Sequence, residues 1–319
     1  MKQGVFYGSL AGAAWGLVFL SPALLADFSP LLLSCGRFLM YGVIALLIGL
    51  PLARGLLRKL SLADLLALTR LSLTGNIVYF VLLAAAVQRV GIAATSLVIG
   101  VLPLTITLLG RNEADAPALR RLLWPLLAVL VGIVCINLEA LLGGSGQSQP
   151  LDERVQGMVY AVLALACWSW FATDNARCLK RQTHFNSNEW SLLTGMITGL
   201  LAGCIWLAAE LLGLTAVQIE LPAERWQSFW LVNLVLAVVA SWLGYTFWNA
   251  STRRLPLTLS GQMVVFETLF ALVYGFVYLQ RLPTLLEGFA ILLLLGGVCA
   301  AVARHGKPAV TAPVNVTLG

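Results

Sequence analysis

The sequence predicts an all-α, polytopic membrane protein of ten transmembrane helices, arranged as two inverted five-helix repeats. Three observations carry that expectation. First, only 20 Lys or Arg and 14 Asp or Glu occur among 319 residues, whereas a soluble domain carries charge on about a quarter of its residues. Second, 60% of the residues are hydrophobic and the mean hydropathy is +0.90, so there is too little polar surface to wrap a water-soluble particle. Third, the apolar residues form continuous runs near 4–25, 30–52, 62–87, 90–110, 118–142, 156–178, 188–213, 227–250, 256–279 and 285–303. Each run is close to the roughly 20 residues that cross a bilayer as a helix. Strands of a membrane barrel would instead alternate apolar and polar over about 10 residues.

Taken in order, the first run retains Trp15 and four glycines and is longer than the apolar core of a signal peptide, so it reads as an uncleaved span. Residues Gly143 to Arg154 are rich in Gly, Ser and Gln and read as a connection. The expected units are therefore a first five-helix repeat at 1–142, a connecting loop at 143–155, a second repeat at 156–304 and a disordered tail at 305–319. With the N-terminus inside, fourteen Lys or Arg lie at the inner ends of the runs and four (Arg89, Arg154, Arg225, Arg281) at the outer ends. That asymmetry predicts a multi-pass protein of the cell inner membrane with both termini cytoplasmic.

The two halves echo each other. Gly4 and Trp15 open the first run with the same separation as Gly157 and Trp168 in the sixth. Tyr79 to Leu109 likewise stands opposite Tyr245 to Tyr274, with Arg89-Val90-Gly91-Ile92 facing Arg254-Leu255-Pro256-Leu257. An odd number of spans per half makes the second half enter from the opposite side. Such inverted repeats commonly build transporters whose site lies between the halves near the midplane.

Glycines recur every four residues at Gly4, Gly8, Gly12 and Gly16, and again at Gly195, Gly199 and Gly203. They clear one helix face for close approach, either as static packing or as a face that slides. Trp15, Tyr79, Trp168, Tyr245, Trp248 and Phe266 are candidate walls of a solute cavity, to which Asn76 and Asn249 would add hydrogen bonds; interfacial anchoring is the competing account of the aromatic residues. Glu267 lies eleven residues into the ninth run, about 16 Å deep at 1.5 Å per residue. A carboxyl at that depth is either a structural group bonded to a neighbouring helix or a site for proton exchange or substrate. Arg37, Arg70, Asp174 and Glu139 sit nearer run ends and suggest pairing or snorkelling.

The net charge of +6 is scattered between runs and forms no nucleic-acid face. The six cysteines lack metal-ligand spacing and read as small buried apolar residues. His184 and His305 fall outside the runs, and the only Gly-Lys step, Gly306-Lys307, is followed by Pro308, so no phosphate-cradling loop is present. The expectation is a non-enzyme without catalytic residues, metal or cofactor, whose partners are the lipid bilayer, a small-molecule solute and protons.

Trp15-Gly16, Val101-Leu102-Pro103 and Phe266-Glu267-Thr268, set in these ten runs, resemble the EamA-type drug/metabolite transporter superfamily over about residues 4–142 and 157–303. Aligned halves bring Leu102-Pro103 opposite Glu267-Thr268, where members of the family often carry Glu-Pro. Gly244-Tyr245 to Trp248-Asn249 is similar to the subgroup that exports aromatic and other amino acids. The chain departs from the family at Asn112-Glu113 and Gln280-Arg281, where Gly-Glu is usual. The resemblance implies a secondary transporter that exports amino acids or similar small organic metabolites by alternating access, and the depth of Glu267 makes it the expected proton-coupling group. Broad efflux of lipophilic or cationic drugs, and a non-transporting membrane scaffold, are the alternatives.

Overall fold

A computed structural model of the chain describes residues 1–110, 123–124, 127–128, 130–131, 150–215 and 220–305. All regular structure among them is helical. Among the described residues, seven helical stretches are long and apolar enough to cross a membrane, from Lys2–Leu24 to Leu259–Tyr278. Most of the run at 118–142, including Cys135, Asn137 and Glu139, lies outside the described residues, as does the tail beyond His305.

Local chemistry fixes the helix ends. After α1 (Lys2–Gly16), Ser29 accepts a hydrogen bond from the Leu32 N–H ahead of Pro30, which opens α2 (Pro30–Gly49). Reciprocal caps start two more helices: Ser61 with Asp64 at α3 (Leu62–Leu71), and Asn186 with Glu189 at a helix over Ser187–Leu211. A π turn over Ser72–Val78 leads from α3 into α4 (Tyr79–Ile99), and α5 (Leu102–Leu109) follows. Gly91, at φ 82°, breaks α4 just inside the fourth expected run, a conformation that glycine adopts without a Cβ clash.

One boundary differs from expectation. The next helix, α6 (Leu151–Arg181), starts inside the segment expected to be a loop at 143–155, because Pro150 precedes it and Asp152 and Glu153 complement the positive end of its dipole. Then come α7 (Ser187–Leu211) and α8 (Ala223–Leu236), which runs through a second π turn (Ala237–Leu243) into α9 (Gly244–Arg254). Short α10 (Leu257–Met263), α11 (Val265–Tyr278) and α12 (Leu285–His305) complete the described chain.

Helix α2 crosses α7 where Gly42 meets Gly199; a Cβ on Gly199 would lie 2.5 Å from the Gly42 Cα. Contacts between helix ends gather at two poles. At one pole Gly4 packs on Leu255, Arg253 donates to the carbonyls of Leu179 and Phe185, and Lys59 pairs with Glu189 at 2.9 Å. At the other, Gly157 packs on Val90, Gln88 donates to the Phe28 carbonyl, and Arg225 pairs with Asp27. Between the poles a contiguous core of Trp, Phe, Tyr and Leu is buried, while Leu47, Leu200, Leu231 and Val277 point outward, each more than 60% exposed. Apolar side chains in and out at once suit a hydrocarbon solvent. The cysteines do not all follow the expected burial: Cys35 is buried, but Cys204 and Cys299 are exposed, since an apolar solvent allows a small apolar side chain to face outward.

Candidate functional site

The π turns organise the centre of the molecule. A π turn shifts the backbone hydrogen-bond ladder and leaves carbonyls open to other partners. In the first turn the Gly75 carbonyl accepts from the Tyr245 hydroxyl at 3.2 Å. In the second the Ala240 carbonyl accepts from the Trp15 indole at 2.8 Å. Each turn thereby holds an aromatic residue from a distant part of the chain. Tyr245 also donates to Asn76 Oδ1, and Asn76 Nδ2 donates to Thr198 Oγ1 at 2.8 Å. Asn76 thus fixes the Tyr245 ring rather than presenting free donors.

Four rings meet there. The Trp15 centroid lies 5.4 Å from Trp168, 5.5 Å from Tyr245 and 5.3 Å from Trp248. Trp168 is also 5.4 Å from Trp248 and 6.4 Å from Tyr79. These separations favour mutual edge and face contacts.

Glu267 enters this cluster from the first turn of α11. Bonds from Val264 N to the Gly261 carbonyl and from Glu267 N to the Val264 carbonyl span three residues instead of four, so the ninth run is tightened into two helices just before the carboxyl. Glu267 consequently stands near a helix N-terminus, where the dipole favours negative charge. Gly12 allows α1 to rest on that turn: a Cβ there would lie 2.5 Å from Phe266 Cβ and 2.8 Å from the Glu267 nitrogen. The contact carries Trp15, three residues further along α1, to the carboxyl.

Trp15, Val18, Arg37, Phe38, Gly75, Tyr79, Trp168, Tyr245 and Glu267 line a single cavity. A water-sized sphere can centre itself in about 10 Å³ of it, room for about one molecule of water. As it stands the cavity is too small for an organic solute.

Of the residues expected at a cavity, Trp15, Tyr79, Trp168, Tyr245 and Glu267 line it. Trp248 touches two of its rings, and Asn76 supports one from behind. Two others stand elsewhere. Asn249 accepts from Asn175 at 3.0 Å, and Asn175 accepts in turn from the Trp190 indole, so its carbonyl serves a neighbouring polar layer. Phe266 rests its Cβ on Gly12, one residue off the cavity-facing position.

Sequence reasoning missed Arg37, as well as Val18, Phe38 and Gly75. Arg37 is 3% exposed, on the cavity wall, and not snorkelled outward. Its Nε donates to Ser241 Oγ in the second π turn at 3.1 Å, and its guanidinium carbon lies 4.6 Å from the Phe80 centroid and 5.0 Å from that of Phe38. Such a buried charge is costly unless something compensates it. Glu267, 2% exposed, shares the cavity, yet the two close no ion pair. Tyr79 Oη lies near the carboxylate without a hydrogen bond of ordinary geometry; it, Glu267 Oε2 and Trp248 Nε1 are buried polar atoms without a partner.

Apolar helices around a buried, charged and aromatic cavity define a membrane-embedded protein. Residues 2–138 match the EamA-like transporter family. The chain is also 33% identical to "Inner membrane protein YtfF" of Escherichia coli (strain K12), across 97% of this chain and 98% of that protein. It belongs to the EamA-like transporter family. A crystal structure superposes with a TM-score of 0.63 at 20% identity, covering 95% of this chain and 97% of the other, and shows the same fold.

Proposed function

We propose that this protein is a secondary transporter of the inner membrane, which exports amino acids or similar small organic metabolites by alternating access, in exchange for protons at Glu267. One observation carries the reading: a buried carboxyl and a buried guanidinium share an aromatic cavity at the meeting point of helices from both ends of the sequence. A static membrane scaffold has no use for two such costly groups.

Alternating access rests on two inverted five-helix halves, ten spans in all, with both termini cytoplasmic. Several pairings favour this arrangement. Gly4 packs on Leu255 and Gly157 packs on Val90, and these are the pairs that the internal sequence echo places in correspondence, at opposite poles. Each half also carries a seven-residue π turn at a matching position. Rocking of one half against the other would open the cavity to either side in turn.

Efflux of lipophilic cations is disfavoured by Arg37, because a fixed positive charge on the wall repels them. The test is uptake by the purified protein in liposomes carrying an imposed pH gradient. Accumulation of an amino acid or small metabolite against its own gradient is the expected outcome; no solute movement across a broad panel would overturn transport.

A further inference from the structure

We infer that Arg37 is the carboxylate receptor of the cavity, and that the site is built for zwitterionic solutes, with the solute's carboxylate on Arg37 and its ammonium on Glu267. The inference rests on the transport reading and names the solute group that selects for it.

The geometry of Arg37 leaves it a particular task. Guanidinium carries five N–H donors in a planar fork that matches a carboxylate. Nε is taken by Ser241 Oγ, which anchors the group and fixes its plane. Its terminal nitrogens make no hydrogen bond among the described residues, although Arg37 is buried and lines the cavity. Phe38 and Phe80 lie against the guanidinium and further restrict its orientation. An anchored fork with its open end toward an enclosed space is a preorganised anion receptor.

Glu267 supplies the opposite charge from α11, on the same cavity. If its role were only to neutralise Arg37, a direct ion pair would offset more of the cost of burying both groups. Instead they stand on one cavity without closing such a pair, and Glu267 Oε2 has no partner. A molecule carrying carboxylate and ammonium on neighbouring atoms would satisfy both ends together. Trp15, Trp168 and Tyr245 would enclose the remainder of the solute. A lone carboxylate satisfies only Arg37 and a lone amine only Glu267, each leaving a buried charge uncompensated.

The same occupancy explains exchange rather than co-transport. The ammonium requires Glu267 to be ionised, so a proton on Glu267 and a zwitterion in the cavity exclude each other. An anion without an amino group would instead bind best with Glu267 protonated and would travel with the proton.

The experiment measures thermal stabilisation of the purified protein by the common amino acids, each beside its amide and its decarboxylated amine. The same compounds are then run in liposome counterflow. Stabilisation by at least one amino acid, at least ten-fold weaker affinity for its amide and amine, and a similar loss for the amino acid in Arg37→Gln are expected. Arg37→Lys keeps the charge without the fork and should recover part of the affinity; it also serves if Arg37→Gln does not fold. Equal affinity for the amine, unchanged affinity in both variants, or no stabilisation by any amino acid would overturn the assignment. Carboxylate-dependent binding without counterflow would overturn transport while leaving the receptor intact. Counterflow of an amino acid undiminished in Arg37→Gln would do the reverse.

Discussion

Arg70 Nε and Nη2 donate to the two carboxylate oxygens of Asp174 at 2.7 and 3.0 Å, tying α3 to α6 across 104 residues of sequence. The pair is bidentate, yet the Arg70 side chain is 49% exposed and that of Asp174 20%. Solvent screening limits such a bridge to about 0.2–1 kcal/mol. A cycle of Arg70→Ala, Asp174→Ala and the double variant, read by unfolding in detergent, should give a coupling in that range that shrinks with added salt. Strictly additive losses would show that the bridge contributes nothing.

The crossing of α2 and α7 is far less forgiving. A Cβ on Gly199 meets the Gly42 Cα at 2.5 Å, and backbone cannot swing aside as a side chain can. Gly199→Ala should cost about 1–3 kcal/mol through overpacking. Gly55 has no atom within 4 Å of where its Cβ would stand, so Gly55→Ala should leave the melting temperature unchanged or slightly raised. Equal effects of the two substitutions would remove close approach as the reason for glycine here.

The membrane class and its all-helical character were legible because hydrocarbon imposes long apolar segments, in which Glu267, Trp15 and Trp168, all on the central cavity, stand out. Arg37 was not legible. Its place in the run suggested a side chain reaching outward, and only the fold reveals Ser241 and the rings of Phe38 and Phe80 holding it inward. The π turns left no mark either, since neither Ser72–Val78 nor Ala237–Leu243 contains proline and their hydrogen-bond shift depends on tertiary partners. Asn249 was misplaced because its spacing from Trp248 does not disclose which face Asn175 occupies.

Orientation is testable at His184, whose side chain is 44% exposed at the pole that also holds Lys59 and Glu189. The proposed orientation, read from the excess of basic residues, would put this pole in the cytoplasm. A cysteine placed at 184, in a chain otherwise free of cysteine, should resist an impermeant thiol reagent added to intact cells and react after permeabilisation. Ready labelling of intact cells would invert the topology.

At the opposite pole the Arg225 side chain bonds Asp27, with Nε donating at 2.6 Å, and holds the Asp27 carboxyl below its ordinary value of 3.8. A carboxylate with a depressed pKa stabilises the folded state above its unfolded pKa and loses that contribution as pH falls through the folded value. The contribution is therefore full at neutral pH and disappears on acidification below about pH 4, the unperturbed range for Asp. With both side chains about a third exposed, the size should stay under about 1 kcal/mol. Asp27→Asn should accordingly be less stable than the parent at pH 6, and the gap should close toward pH 3. A gap that does not change with pH would assign the loss to something other than this ion pair.

Glu267 carries the coupling prediction. Its carboxyl is buried on a cavity that it shares with Arg37, Tyr79 and Tyr245, so no bulk water screens it. If proton and solute compete for it, the gradient does work only while Glu267 can both take and release a proton. Glu267→Gln retains the shape and the hydrogen-bonding capacity of the protonated acid but is locked in that neutral state. Because Gln copies the protonated acid, the variant should fold with a melting temperature close to that of the parent at low pH. It should no longer accumulate solute under an imposed pH gradient, and its downhill flux of a zwitterion should fall as well, because the ammonium has lost its ionised partner, with the remaining flux independent of pH. Glu267→Asp keeps a titratable group and should restore part of the gradient-driven uptake, which a purely structural role would not predict. Full pH-driven accumulation by Glu267→Gln would make the residue a buried structural acid and move the coupling site elsewhere.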